Sequence, residues 1–356
     1  MKSEKRHIGW LLSGMLMLLT MLLAACSENS SNDGVDEPQD NSLHISSVTR
    51  AVSRLDPTPN STIKMFVMTK DDQYSTGEFT YSTDWQNNGV SVKEHEQYYM
   101  YGFMPAGIAT SSSAAKPAGG DYSQGADLTL TGLPIFTDED ICVVVGVRKI
   151  ASNTDYTEAT MGSYGYLSGL NSENYVNLLM DHLYSQLILQ FNVDADYNAL
   201  RHIKLKTVTL TSTYGEKVNA TIKFRAGNSL DINSVAYSKN TDAGSGNSNV
   251  LEILKSTETA KFLTKTATEV SFGPFNCAPC TFDADGTNLT LTCTYDVYNT
   301  AENKVLRAGC TATNKLKVAS ILPGVRKTVT LTIAPTYLYV LSDDDLNNPT
   351  IVVNSE

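Results

Sequence analysis

Apolar and polar residues alternate with period two in segment after segment of the chain, which predicts β-strands with one buried face. Ile63, Met65 and Val67 share a face in the first clear strand, and Leu128, Leu130 and Gly132 share one in another. Leu183, Leu187, Leu189, Phe191 and Val193 form the strongest case, opposite a face carrying Tyr184, Gln186, Gln190 and Asn192. Leu289, Leu291, Cys293, Tyr295 and Val297 repeat the pattern, as do Val329, Leu331 and Ile333. Ile141–Val147 is a continuous apolar run, suited to a strand buried on both faces. Helical spacing is confined to two weak stretches, 171–180 and 249–263. The fold class is all-β.

Loose, turn-rich stretches at 105–127, 151–175 and 226–248 punctuate the strands. The cleanest boundary falls just before the strand at 183 and predicts an N-terminal β-sandwich over 55–178 and a C-terminal one over 179–333. A terminal segment follows at 334–356. Many strands with Gly- and Pro-rich turns, and no crossover helices between them, favour packed sandwiches over a parallel α/β sheet.

The first 25 residues follow different rules. Lys2, Lys5 and Arg6 precede an apolar stretch from Ile8 to Ala25, which ends in Leu23-Ala24-Ala25-Cys26. A short basic start, an apolar core and small residues at its end are the marks of a signal peptide. The last four residues resemble a bacterial lipobox, which implies cleavage before Cys26 and lipid (palmitate among it) on that thiol. An uncleaved anchor helix and a plain secretory signal are the alternatives. SENSSNDGVDEPQDNS then follows, polar and acidic, with too little apolar surface to fold. It reads as a tether.

Composition narrows the partners. The formal charge is −11, and no basic run exists beyond the first six residues, so a nucleic-acid partner is excluded. Charged residues make up 18%, below the ~25% usual for soluble proteins, and Ser, Thr, Asn and Gly fill the difference.

Catalytic signatures are weak. Cys277-Ala-Pro-Cys280 has the CxxC spacing but no helix signal to stabilise a thiolate. A zinc site recruiting Cys293 and Cys310 would have one CxxC knuckle instead of two. Structural thiols or disulfides are the better reading. Strands 289–298 and 304–318 form a hairpin about NTAEN, with Cys293 and Cys310 on its apolar face and within disulfide reach if the register allows. Asp283-Ala-Asp285-Gly286 is a turn signal before it is a calcium loop, and Asp343-Asp344-Asp345 reads as a solvated loop. His182 and His202 each precede or open a strand and read as structural or surface groups. Neither HExxH nor GxSxG occurs, so no enzymatic activity, cofactor or metal is expected. Twelve tyrosines between 74 and 197 offer a carbohydrate platform, or simply strand-forming residues.

Three segments together resemble the fimbrillin superfamily of Bacteroidales, the subunits of donor-strand pili. They are the lipobox with its tether and LHISSVTRAVSR, the junction MDHLYSQLILQFNVD, and the C-terminus LPGVRKTVTLTIAPTYLYVLSDDDLNNPTIVV. The resemblance implies two tandem transthyretin-like sandwiches and export as a lipoprotein to the outer membrane. It also implies a cut by a trypsin-like protease after an Arg. Arg50, before Ala51, is the best match, and Arg54, before Leu55, the second. The cut would remove the tether and first strand (26–54), opening a groove for a neighbouring subunit's strand. The donor would come from the C-terminus, where Tyr337, Tyr339 and Leu341 share a face and Ile351 and Val353 follow. The alternative is that these residues close the subunit's own second sandwich. The functions that compete are a shaft subunit of an adhesive fimbrium, a tip or anchor subunit, and a non-polymerising lipoprotein that binds a glycan or other ligand.

Overall fold

The computed structural model describes residues 41–50, 57–149, 165–168, 174–225, 235–240, 249–279, 289–301, 303–316, 323–334 and 350–355. In chain order the strands are β1 (His44–Arg50), β2 (Thr62–Met68), β3 (Gln73–Tyr81), β4 (Trp85–Asn88), β5 (Gln97–Met104), β6 (Ser111–Ala115), β7 (Gly125–Pro134) and β8 (Phe136–Thr137). Next come β9 (Cys142–Lys149), β10 (Gly165–Leu167), β11 (Tyr175–His182), β12 (Ser185–Val193), β13 (Arg201–Ser212), β14 (Lys217–Arg225) and β15 (Val235–Lys239). The last are β16 (Val250–Leu254), β17 (Lys261–Phe262), β18 (Ser271–Cys277), β19 (Leu289–Asn299), β20 (Lys304–Leu316), β21 (Arg326–Ala334) and β22 (Thr350–Ser355).

These strands build four sheets. The first runs β1-β11-β9-β5-β2-β3-β4, with β10 on β5, and the second runs β15-β14-β7-β6. The third is β22-β21-β12-β18-β8, and the fourth is β16-β13-β19-β20 with β17 on β13. The all-β expectation holds.

Strands in the middle of the first sheet are buried on both faces, which is why their sequences lose the alternation. Phe66, Tyr101, Phe103 and Val143 point to one side and pack with Leu128, Leu130, Ala220 and Ile222 of the second sheet. Met65, Val67, Met100 and Val144 point to the other, where Phe79, Trp85, Val176 and Leu178 complete a second core. The third and fourth sheets enclose another, formed by Leu187, Leu189 and Phe191 of β12 with Ile203, Leu205 and Val208 of β13 and Leu291 and Tyr295 of β19. Hydrogen-bonded ladders cross the expected boundary at 178/179: β14 pairs with β7, and β18 pairs with β8. Phe136 packs against the cores on both sides of it.

Several local expectations need correction. Of the stretch 171–180, expected to be helical, residues 175–180 belong to β11, because Val176, Leu178 and Met180 are buried at period two. Leu179 between them mimicked a helical repeat. The stretch at 249–263 forms the short strands β16 and β17 instead of a helix. The only α-helix among the described residues, α1 (Ala195–Leu200), was not anticipated. It is one turn and a half, started by the Asp194 carboxylate, which accepts N–H bonds from Asp196 and Tyr197 at 3.0 and 3.1 Å. Gly132 does not simply continue the Leu128–Leu130 face. It takes φ 73°, where a Cβ would collide with Thr110 Oγ1, and the kink turns Leu133 into the core.

Candidate strand-exchange groove

The segment LHISSVTR does not alternate, yet Leu43, Ile45 and Val48 all enter the same core. A β-bulge reconciles the two. Ile45 pairs with Val176 and Ser47 with Asn177, so Ser46 is an extra residue in β1. Beyond the bulge the strand resumes, with Val48 opposite Leu178 and Arg50 opposite Met180. Leu43, Ile45 and Val48 are 0%, 6% and 3% exposed, and each buried side chain contributes roughly 1.5–3 kcal/mol.

The segment 41–50, β1 with the three residues before it, is held on both sides. It lies parallel to β11 on one, in a first sheet whose other pairings are antiparallel. His44 N–H donates to the Asn174 carbonyl at 2.8 Å, Ser47 Oγ donates to Asn177 Oδ1 at 2.6 Å, and the His44 and Tyr175 rings stack at 4.7 Å. On the other side the start of the segment meets the chain just after β4. Leu43 N–H donates to the Val90 carbonyl at 3.2 Å, and Val92 N–H donates to the Asn41 carbonyl at 2.8 Å. The start of the first strand therefore spans the gap between the two ends of the first sheet.

The rim opposite β11 has its own support. Asn87 Nδ2 donates to both the Leu43 and Val90 carbonyls, and its Oδ1 accepts the Val90 N–H. Tyr98, fully buried, accepts the Lys93 N–H on its hydroxyl at 2.8 Å. Burial pushes that phenol up from 10.0 to about 12, and the Lys93 N–H offsets part of the shift. Without β1, the backbone of 175–180 would be left with an unpaired edge. Val176, Leu178, Val90 and Val92 would lose the side chains that cover them.

The other expected site residues are dispersed. Arg50 is the last residue of β1. Cys26, Ala51, Arg54, Leu55, Tyr337, Tyr339 and Leu341 lie outside the described residues. Ile351 and Val353 sit in β22, which adds antiparallel to the edge of the chain's own third sheet, opposite Ile333 and Leu331. The expected hairpin of β19 and β20 forms, but Cys293 lies opposite Ala312 and Cys310 opposite Tyr295. The two cysteines are thus diagonal neighbours, a placement with Cα atoms roughly 7–8 Å apart, and both are free thiols instead of a disulfide. Cys277 is also buried, while Cys280, Asp283, Asp285 and Asp343–Asp345 lie outside the described residues. His202 meets the Phe262 ring edge to face, with ring centroids 6.3 Å apart.

Six of the twelve tyrosines between 74 and 197 face inward and offer no surface to a sugar. Tyr98, Tyr99, Tyr101, Tyr122, Tyr184 and Tyr197 are buried.

No protein-family profile matches the chain, and no curated protein matches it significantly. Among solved structures, it is similar to a fimbrial protein from Bacteroides vulgatus, at 14% identity and a TM-score of 0.41, over 88% of this chain and 98% of that one. A candidate cell adhesion protein from Bacteroides uniformis aligns at 12% identity and a TM-score of 0.36, over 88% and 97% of the two chains. A protein from Bacteroides thetaiotaomicron described as a candidate polysaccharide binder gives 10% identity and a TM-score of 0.36, over 88% and 96%. At these values the likeness assigns no partner or ligand to this chain.

Proposed function

We propose that the protein is a non-catalytic structural subunit of a cell-surface fimbrium that supports adhesion. In this reading it reaches the outer membrane as a lipoprotein through Cys26. A protease cuts after Arg50 or Arg54, and the subunit joins self or homologous subunits by strand exchange. Two tandem transthyretin-like sandwiches, divided near 178/179, would carry the two ends of the exchange. The observation that carries the reading is β1 itself. The first described strand, with the residues 41–43 that lead into it, buries three apolar side chains, ends at an arginine and is bonded to the rest of the fold along β11 and Val90–Val92 alone among its described ladders. Its loss would expose an apolar groove with an unpaired strand edge, which a strand of similar pattern from another chain would repair. The segment containing Tyr337, Tyr339, Leu341, Ile351 and Val353 is the proposed donor.

A second reading is favoured by one observation: β22 pairs with the chain's own β21. A C-terminus kept in its own sheet suits a tip or anchor subunit. Limited trypsin treatment of the chain from residue 27 onward, followed by intact mass and size-exclusion chromatography, separates the two. A single cut after Arg50 or Arg54 with growth of SDS-resistant ladders supports the shaft subunit. A cut that leaves a stable monomer supports the tip, and resistance at both arginines supports the anchor.

A further inference from the structure

Beside the groove, three side chains of metal-binding type converge. β9 and β11 are antiparallel neighbours whose register sets Cys142 opposite His182, and Asp140 precedes Cys142 by two residues. His182 Nδ1 lies 2.7 Å from Asp140 Oδ1 and 3.7 Å from Cys142 Sγ. One ligand atom from each of the three residues falls within 4.8 Å of the others. Cys142 is fully buried, while the side chains of Asp140 and His182 are each 28% exposed. The cluster therefore has a dry floor and a solvent-facing rim.

We propose that Asp140, Cys142 and His182 form a binding site for one divalent transition-metal ion of the zinc type. Donor spacing supports this first. Zinc bonds of about 2.3 Å to sulfur and about 2.0–2.1 Å to nitrogen, at tetrahedral angles, require an S···N edge of about 3.5 Å. The protein holds Sγ and Nδ1 at 3.7 Å. The same geometry asks for an N···O edge of about 3.3 Å, so the Asp140–His182 hydrogen bond must open by roughly half an ångström. A partly exposed carboxylate can turn that far without disturbing the core.

Donor chemistry supports it second. One thiolate, one imidazole and one carboxylate suit zinc or cobalt, whereas magnesium and calcium take oxygen ligands. Three protein ligands with the fourth side toward solvent leave that position to water. The backbone is already fixed around the ligands. Leu183 N–H donates to the Ile141 carbonyl at 2.8 Å, and the Asp181 carboxylate accepts the His182 N–H at 2.8 Å. A bound ion would clip β9 to β11 two residues beyond Met180, the partner of Arg50 at the end of β1. The site does not depend on the fimbrial reading.

Cobalt(II) is the direct probe, because a cobalt–thiolate bond gives a near-ultraviolet charge-transfer band. The full chain, reduced and stripped with chelator, is titrated with Co2+ and then with Zn2+. The expected result is a band that saturates at one equivalent of cobalt and is abolished by one equivalent of zinc. It should disappear in Cys142→Ser, persist in Cys277→Ser and Cys280→Ser, and require at least tenfold more cobalt in Asp140→Asn and in His182→Gln. The last two substitutions change partly exposed side chains and leave the core thiol in place, so they decide the matter even if Cys142→Ser fails to fold. Absence of the band in the unaltered chain, or unchanged cobalt affinity in both Asp140→Asn and His182→Gln, overturns the proposal.

Discussion

The Asn87 side chain donates to the Leu43 carbonyl at 2.7 Å, joining the far end of the first sheet to the start of the segment that closes it. The same amide donates to the Val90 carbonyl and accepts the Val90 N–H, at 2.6 and 2.8 Å. One residue thus shapes the rim and grips the strand that lies in it. Asn87→Ala removes all three bonds. Roughly 1–3 kcal/mol of stability should be lost, since the Leu43 and Val90 carbonyls are left without that donor. Urea unfolding measures the loss, and hydrogen exchange should show Leu43 and Val90 opening ahead of the rest of the core.

Apolar burial should matter more than the rim bonds. Leu43 is fully buried, and Leu43→Ala should cost roughly 2–5 kcal/mol. Because the cost falls on β1, tryptic cleavage after Arg50 should become faster than in the unaltered chain. Cleavage at an unchanged rate would mean that β1 does not control access to Arg50.

The bulge makes an unusual prediction for a deletion. Removing Ser46 leaves Leu-His-Ile-Ser-Val, in which the three apolar residues alternate without interruption, and each partner on β11 is kept. The deletion should therefore change stability by no more than about 1 kcal/mol, whereas removing Thr49 would shift the end of the strand out of register. Thermal unfolding of the two deletion variants distinguishes them.

Alkaline pH should weaken the fold in a defined window. Burial pushes the Cys293 thiol up from 9.0 to about 12, and the Tyr98 phenol from 10.0 to about 12. Both keep their protons in the folded chain at pH values where the unfolded chain has lost them. The stability they contribute is complete below pH 9 and is lost as the pH rises from there towards 12. Urea midpoints measured between pH 8 and pH 11 should fall, and Cys293 should resist alkylation at pH 8 until the chain unfolds.

The free thiols give a simpler check. Cys293 and Cys310 are diagonal across β19 and β20, so oxidation should not join them. Peptide mapping of the oxidised protein should show no Cys293–Cys310 cross-link, and Cys310→Ser should respond to reductant no differently from the unaltered chain.

Elements with one buried face were legible in the sequence. Leu187, Leu189 and Phe191 of β12 and Leu289, Leu291 and Tyr295 of β19 alternate because one side of each strand meets the core and the other does not. Strands buried on both faces, such as β5, carry no alternation, and only their apolar density marks them. β1 was obscure for another reason: one extra serine breaks the period at the position where the backbone bulges. The cysteine and histidine of the proposed metal site are 40 residues apart and meet only through the register of β9 and β11. No local spacing could announce them. The diagonal placement of Cys293 and Cys310 depends likewise on bulges within the hairpin, which loop length alone does not reveal.

Hydrogen exchange along 175–180 tests the account most directly, because β1 is the strand that pairs with those residues on the groove side. The amides are followed by mass spectrometry in the intact chain, in the chain cut after Arg50 and separated from its N-terminal fragment, and in any assembled product. The account predicts slow exchange in the first, fast exchange in the second and slow exchange again in the third. Equal protection in the intact and stripped chains would contradict it, for then β1 would not be the strand that closes the groove.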